Sequence, residues 1–254
     1  MIDIWGRPTS ICTQRVLWAC AELNLEYNLT LASATMGHQG HISRGHAPFG
    51  VVDTDSYKAM NPNRTVPLIK DGSFILWESN AIVTYLAMKY GAEALYQDNL
   101  QILSQSIGWM AWTNEHLEPP LHTFVMELVR LAEELRSPET VEPARTEVEN
   151  WLRVLDEHLQ DHAYVCGDLF TLGDITTGAS VYRAHLFDAC PPSLSNITSW
   201  QKRLRERNGF LHHVAPREFH LGYFRKQLCG AWLSISVEHL LTLCWRESEN
   251  LPGS

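Results

Sequence analysis

The hydrophobic pattern of this chain changes near Tyr96, and this change constrains the fold more than any other feature. Before it, short apolar runs and helix-periodic segments alternate in the order strand, helix, strand, short helix, strand, strand, helix. After it, the periodic segments are all helical. We therefore predict an α/β domain at residues 1–92 and an all-α domain at residues 97–217. For residues 218–254 the pattern does not distinguish a helix from a strand.

The first half contains one strong turn signal. "VPLIK" and "SFILW" flank Asp71-Gly72, a dipeptide typical of two-residue β-hairpins. The other predicted strands are "IDIW" and "EYNLTLA", and the predicted helices are "TQRVLWACAELNL", "TDSYKAM" and "ESNAIVTYLAMKY". In the second half, "TLGD" places Thr171 and Asp174 at the spacing of a helix capping box.

Charge and composition exclude several classes of protein. The formal net charge of −9 disfavours a nucleic-acid binder, because phosphate contacts require clustered Lys and Arg. No apolar run approaches the ~20 residues that a membrane span requires, and "MIDIWGRP" does not resemble a signal peptide. The six cysteines are scattered, without the spacing of a zinc site or a disulfide framework. We expect a cytoplasmic protein.

A loop of unusual length is predicted between Ser33 and Asp53, where Gly, His and Ser are frequent and no period is present. His38, His41 and His46 lie in it, but their spacing fits no standard metal site. We therefore expect no metal, and a mobile loop that borders a ligand site.

Val66-Pro67 stands at the start of a predicted strand, where proline cannot donate a ladder hydrogen bond. A cis peptide bond here would leave the backbone of Val66 free to pair with an extended peptide. The alternative is an edge-strand proline that only prevents aggregation. The residues alone favour neither.

Glu78 and Ser79 precede a predicted helix, whose unpaired amides and dipole favour a carboxylate. The Ser79 hydroxyl would add a donor and the Glu78 carboxylate would hold an ammonium group. The pair therefore suits the α-amino-acid head of a ligand. Plain helix capping by Ser79 is the alternative.

Ser10 and Cys12 belong to "GRPTSICTQRV", the turn between the first strand and the first helix. A hydroxyl or a thiol at this position can meet a ligand, and the helix dipole stabilises a thiolate. For Ser10 the alternative is a simple N-cap. For Cys12 it is a small packing residue.

Taken together, "GRPTSICTQRV", "NPNRTVPLI", "LWESNAIVTYLA" and "TLGD" resemble the cytosolic glutathione transferases over residues 1–217. The resemblance is strongest to bacterial-type, theta- or nu-like members, whose first turn carries Ser or Thr. It implies a thioredoxin-like domain followed by a helical bundle, glutathione as co-substrate and a homodimer.

The resemblance also assigns roles to the candidate residues. Pro67 would be a cis-proline, and Val66 would pair its backbone with the cysteinyl unit of glutathione. Glu78 and Ser79 would bind the γ-glutamyl head. Ser10 would donate to the glutathione sulfur, whose thiolate attacks small electrophiles in detoxification. Asp174 would serve folding.

One residue departs from the pattern, since many relatives carry Asn where this chain has Cys12. A cysteine there can form a mixed disulfide with glutathione, so a disulfide or peroxide reductase is an alternative function. A non-catalytic interaction module is a third. Five residues of the helical half could line an apolar acceptor pocket or belong to the core: Trp109, Trp112, His116, Phe124 and Met126.

Overall fold

The structure, a computed structural model, describes residues 1–33, 51–131 and 133–215. Met1–Pro216 form one compact unit. The predictions for the histidine-containing loop and for the segment 218–254 lie outside the described residues. The domain boundary predicted between residues 92 and 97 stays a prediction.

A four-stranded mixed sheet forms the first half, in the order β2-β1-β3-β4. The strands are β1 (Ile2–Gly6), β2 (Tyr27–Leu31), β3 (Leu68–Asp71) and β4 (Phe74–Trp77). β1 runs parallel to β2 and antiparallel to β3, and β3 runs antiparallel to β4. Alternate residues of β1 are buried, as expected for a strand with one face on the core.

Ten α-helices are described, two of them inserted among the strands. They are α1 (Ile11–Glu22), α2 (Asp55–Met60), α3 (Ser79–Tyr90), α4 (Ala92–Tyr96), α5 (Leu100–Trp112), α6 (Glu118–Phe124), α7 (Pro138–His158), α8 (Leu172–Leu186), α9 (Ser195–Arg205) and α10 (Asn208–His213). Short 3₁₀ turns lie at Val51–Asp53 and Glu133–Leu135. The predicted succession, a mixed sheet with helices followed by helices alone, is observed.

The predicted hairpin turn is present, with Gly72 at a φ of 63°. The carboxylate of Asp71 anchors this turn to α3, because it accepts hydrogen bonds from Tyr85 (2.8 Å), Lys89 (2.7 Å) and Tyr90 (2.6 Å). The bonds from Lys89 and Tyr90 lower the pKa of Asp71 to about 2.

α5 and α6 are parts of one helical rod. A π-helical segment, Thr113–Leu117, joins them, and a second, Val125–Arg130, follows α6. The sequence predicts separate helices on either side of Pro119 and Pro120, yet the helical course continues through both. The wider hydrogen-bond register of the preceding π-helical segment offers a reason, since proline has no amide to donate.

α1 connects the sheet to the helices of the second half. Trp18 is fully buried, with its ring 5.7 Å from Phe170 and 5.0 Å from Phe210. A Cβ on Gly209 would lie 2.6 Å from Trp18, so only glycine lets α10 approach this closely. The sequence prediction missed α10 and started α1 two residues late, at Thr13.

The predicted capping box begins α8. The Asp174 carboxylate is fully buried and accepts from the amide (2.9 Å) and the hydroxyl (3.0 Å) of Thr171. It also accepts from the Val165 amide (3.0 Å) and the Trp200 indole (2.9 Å). One side chain thus connects the start of α8 to a preceding loop and to α9.

Candidate active site

The register of the sheet brings the three candidate segments to one end. Trp5 lies opposite Leu68, and Leu68 lies opposite Trp77. Because β3 is antiparallel to both neighbours, the end of β1, the start of β3 and the end of β4 lie at the same end of the sheet. Three segments are therefore neighbours at this end of the sheet. They are the turn with Ser10, the Val66-Pro67 pair and the Glu78-Ser79 pair.

Close packing fixes the first of these turns. A Cβ on Gly6 would lie 2.6 Å from the Thr13 side chain, so glycine lets β1 end directly against α1. The Arg7 amide donates to the Thr13 hydroxyl at 3.4 Å, and the Ser10 amide donates to the Arg7 carbonyl at 3.0 Å. Local sequence thus positions the residue before the helix.

Ser10 occupies the N-cap position of α1, but its hydroxyl makes no capping hydrogen bond. Its side chain is largely buried, with an exposed fraction of 8%. Cys12 follows in the first turn of the helix and is a free, half-buried thiol. Ser10 therefore has the backbone position of an N-cap, but its hydroxyl does not cap the helix.

The Val66-Pro67 bond is cis, as the resemblance to the glutathione transferases implies. Pro67 is buried and Val66 is half-buried, directly before the start of β3. Among the residues that the structure describes, neither the amide nor the carbonyl of Val66 has a backbone partner. Its backbone can therefore accept an extended ligand.

Two residues that the sequence analysis passed over hold this segment in place. Tyr57 donates its hydroxyl proton to the Thr65 carbonyl at 2.7 Å, and the Asn61 amide group donates to the same oxygen at 2.9 Å. Asn61 also accepts from the Asn63 amide at 3.0 Å. Asn61 is fully buried, and a buried Asn in a turn is typical of such a support.

Glu78 and Ser79 lie at the beginning of α3. Ser79 is the first residue of the helix and is buried, so it is not the N-cap. Glu78 is the N-cap, with an exposed side chain that makes no capping hydrogen bond. Its φ of 72° is rare for a residue with a side chain, and strained conformations of this kind cluster at ligand sites.

A buried polar network lies behind the first turn, and the sequence analysis missed it. Arg15 is almost fully buried on the helix face that Ile11 and Ala19 share. Its guanidinium donates to Glu118 (2.5 Å) and Ser180 (2.8 Å), and Ser180 donates to Glu118 (2.6 Å). A charged residue in an apolar helical stripe is the signal that could have identified it.

The carboxyl of Glu118 carries charge in this network. Burial acts to raise its pKa, but Arg15 and Arg183 hold the pKa below its ordinary value. The anion is thus stabilised by the arginines around it.

Four of the five residues considered for an acceptor pocket or the core make ring contacts within the helical half. Phe124 is fully buried and stacks on Phe187 at 5.4 Å, so it belongs to the core. His116 stacks on Trp151 of α7 at 4.1 Å. Trp109 and Trp112 contact each other at 5.1 Å and also pack against α7. Their helical spacing is explained by packing between helices.

The described ranges contain neither a candidate metal site nor a helix that could span a membrane. No group of three or more His, Cys, Asp or Glu side chains is placed to hold a metal ion there. No helix in these ranges is long and apolar enough to cross a membrane.

Comparisons with solved structures give the same architecture. The theta class glutathione S-transferase from Xanthomonas axonopodis pv. citri with glutathione bound superposes with a TM-score of 0.73 at 32% identity. The match covers 84% of this chain and 96% of that protein.

Sequence comparisons agree. Family models for the glutathione S-transferase N-terminal and C-terminal domains match residues 9–89 and 117–208. Glutathione S-transferase GstB of Escherichia coli K12 is 32% identical over 209 residues, 82% of this chain and 94% of the relative. Elongation factor 1-gamma-A of Xenopus laevis is 30% identical over 160 residues, but only 35% of its length is matched. The fold, the two family-model matches and the likeness to GstB over most of both chains agree. The chain therefore belongs to the glutathione S-transferase family.

Proposed function

We propose that this chain binds glutathione at this end of its sheet and transfers the glutathione thiolate to small electrophiles. The observation that carries this proposal is the strand register, in which Trp5, Leu68 and Trp77 lie opposite one another. This register places the three candidate segments next to each other at one end of the sheet. The solved theta class relative has glutathione bound, which supports glutathione as the co-substrate.

The γ-glutamyl head binds at the start of α3. The first amides of this twelve-residue helix and the Ser79 hydroxyl donate to its carboxylate, with the positive end of the helix dipole behind them. The exposed Glu78 carboxylate pairs with the ammonium group. The backbone of Val66 pairs with the cysteinyl unit, as an added strand pairs with a sheet edge.

Ser10 supports the nucleophile. Its hydroxyl, which α1 does not use for capping, donates to the glutathione sulfur and favours the thiolate. The thiolate attacks the electrophilic carbon, a new carbon–sulfur bond forms, and the leaving group departs with its electron pair. Asp174 stays outside this chemistry, since it is buried among structural donors.

Removing the head-group contacts should weaken the affinity for glutathione. We expect Ser79→Ala to raise the dissociation constant about 10-fold and Glu78→Ala about 5-fold, because each deletes a hydrogen bond or ion pair to a charged group. Isothermal titration calorimetry with glutathione measures both effects. Ser73→Ala, in the exposed hairpin turn, is the matched control. Unchanged affinity in both head-group variants would remove the γ-glutamyl group from this position.

Cys12 favours a second candidate, a glutathione-dependent disulfide reductase, because its thiol is only half-buried in the first turn of α1. A Cys12 thiolate would attack a mixed disulfide, release the substrate thiolate and become glutathionylated. The thiolate of a second glutathione would then attack this protein–glutathione disulfide, regenerate the Cys12 thiolate and leave as glutathione disulfide. Assaying the chain with both a chloronitroaromatic acceptor and a small mixed disulfide separates the two functions. Absence of glutathione binding would favour the non-catalytic module.

We also propose that the chain forms a homodimer in the cytoplasm and acts in detoxification. Four large apolar side chains are exposed on β4 and near the end of α3, namely Phe74, Ile75, Met88 and Tyr90. Exposed apolar surface supports an association with another chain. Light scattering on the purified chain tests the dimer, and a monomeric mass at micromolar concentration would contradict it.

A further inference from the structure

α1 and α8 pack against each other in opposite directions. A Cβ on Gly178 would lie 3.4 Å from Trp18. Earlier in α1 and later in α8, Arg15 donates to Ser180 at 2.8 Å. Cys12 lies three residues before Arg15 and Arg183 three residues after Ser180, so the same packing brings these two residues near each other. Arg183 thus lies at the end of α1 that carries Ser10.

Arg183 and Cys12 interact electrostatically, which agrees with this pairing. The side chain of Arg183 is half-buried. Within residues 1–33, 51–131 and 133–215, its guanidinium makes no hydrogen bond and no ion pair within 4.0 Å. Its neighbour Arg15 differs, because Arg15 is held by Glu118, Ser180 and Asn114.

Burial lowers the pKa of Arg183, the charges of Glu118 and Cys12 raise it, and Arg15 and Arg130 lower it. Glu118 is already engaged, since one of its oxygens accepts from both Arg15 and Ser180. A carboxylate beside the Arg183 guanidinium would interact with its charge more strongly than the same pair would in water.

We propose that Arg183 binds a carboxylate of the electrophilic acceptor, so that this chain prefers acidic electrophiles to neutral ones. This inference rests on the proposed transferase function and names the substrate class of that same site. A planar guanidinium matches a carboxylate with two parallel hydrogen bonds, which suits recognition of an acid at a fixed distance from the glutathione sulfur.

The competing role for Arg183 is support of a thiolate, either that of Cys12 or that of glutathione. The two roles differ in one measurable respect. Support of the nucleophile raises the rate with every acceptor, whereas binding of a carboxylate acts only on acceptors that carry one. A matched pair of acceptors therefore separates them.

The experiment uses a chlorodinitrobenzoate and the corresponding chlorodinitrobenzamide, which have similar shapes and differ in one substituent, an anionic carboxylate in the first and a neutral carboxamide in the second. We expect wild type to prefer the benzoate after correction for the uncatalysed reaction. Arg183→Gln should lower kcat/KM for the benzoate about 10- to 100-fold, mainly through KM, because a charge-assisted contact is lost. The benzamide should change less than about twofold, and Arg183→Lys should restore part of the preference.

Two controls accompany the variants. Arg153→Gln removes the same charge from an exposed position of α7 and should leave the preference intact. Glutathione titrations should give the same dissociation constant for Arg183→Gln and wild type, because the proposed partner is the acceptor. If Arg183→Gln does not fold, Arg183→Lys and competition by dinitrobenzoate against dinitrobenzamide in wild type decide the same question.

The outcomes distinguish the two proposals. Equal losses with both acceptors, or no preference for the benzoate in wild type, would overturn the role of Arg183 while leaving the transferase function standing. Failure to bind glutathione, or to conjugate either acceptor, would overturn the transferase function itself and the acid preference with it.

Discussion

Asp174→Ala should lower the midpoint of thermal unfolding by roughly 10 °C, because burying unsatisfied donors in a chain of this size costs about 3 kcal/mol. The wild-type carboxylate accepts from two backbone amides, a hydroxyl and an indole. Alanine would leave three N–H groups without an acceptor at a fully buried position. Differential scanning calorimetry or urea unfolding measures the loss.

The matched control is Asp168→Ala, because Asp168 is exposed in the same loop region. We expect it to change the free energy of unfolding by less than about 0.5 kcal/mol. Equal midpoints for Asp174→Ala and wild type would show that water or rearranged side chains satisfy the donors.

The pH dependence of stability offers a second readout at Asp174. Burial raises the pKa of its carboxyl to about 6, well above the ordinary value of 3.8. The native state therefore binds this proton more tightly than the unfolded state. The contribution of this group to the free energy of unfolding is complete below about pH 4 and declines as pH rises to about 6. Asp174→Asn should remove this slope.

Local signals explain why much of the fold could be predicted. The Asp71-Gly72 turn and the period of each strand or helix depend on residues within a few positions. The continuation of the rod through Pro119 and Pro120 was missed, because proline normally stops a helix and the sequence does not reveal a π-helical register. α10 was missed because its six residues give no clear period, and its position depends on the contact of Gly209 with Trp18.

The candidate site divides in the same way. Ser10 and the Glu78-Ser79 pair follow strands and the Val66-Pro67 pair precedes one. Each belongs to a short motif, so the sequence alone is enough to propose them as site residues. The Arg15–Glu118 ion pair joins residues far apart in the chain, and only tertiary structure brings them together. Helical spacing showed that Phe124 shares a face with its neighbours, but not that this face packs on Phe187.

Ser10→Ala should reduce turnover roughly 10- to 100-fold while the affinity for glutathione changes less than about threefold, because the lost contact supports the charged form of the sulfur. The Ser10 hydroxyl makes no capping hydrogen bond to α1, so its removal costs the helix no hydrogen bond. Steady-state rates with a chloronitroaromatic acceptor and calorimetric titration with glutathione measure the two quantities.

The cause of the loss is open to a direct check, because the thiolate of bound glutathione absorbs ultraviolet light. Deleting one hydrogen bond to an anion should raise the pKa of the bound thiol by about one to two units. Ser10→Thr keeps the hydroxyl and should retain most of the turnover. Should Ser10→Ala instead turn over normally while Cys12→Ser is inactive, the nucleophile would be supported from Cys12, and the reductase would become the better explanation of this site.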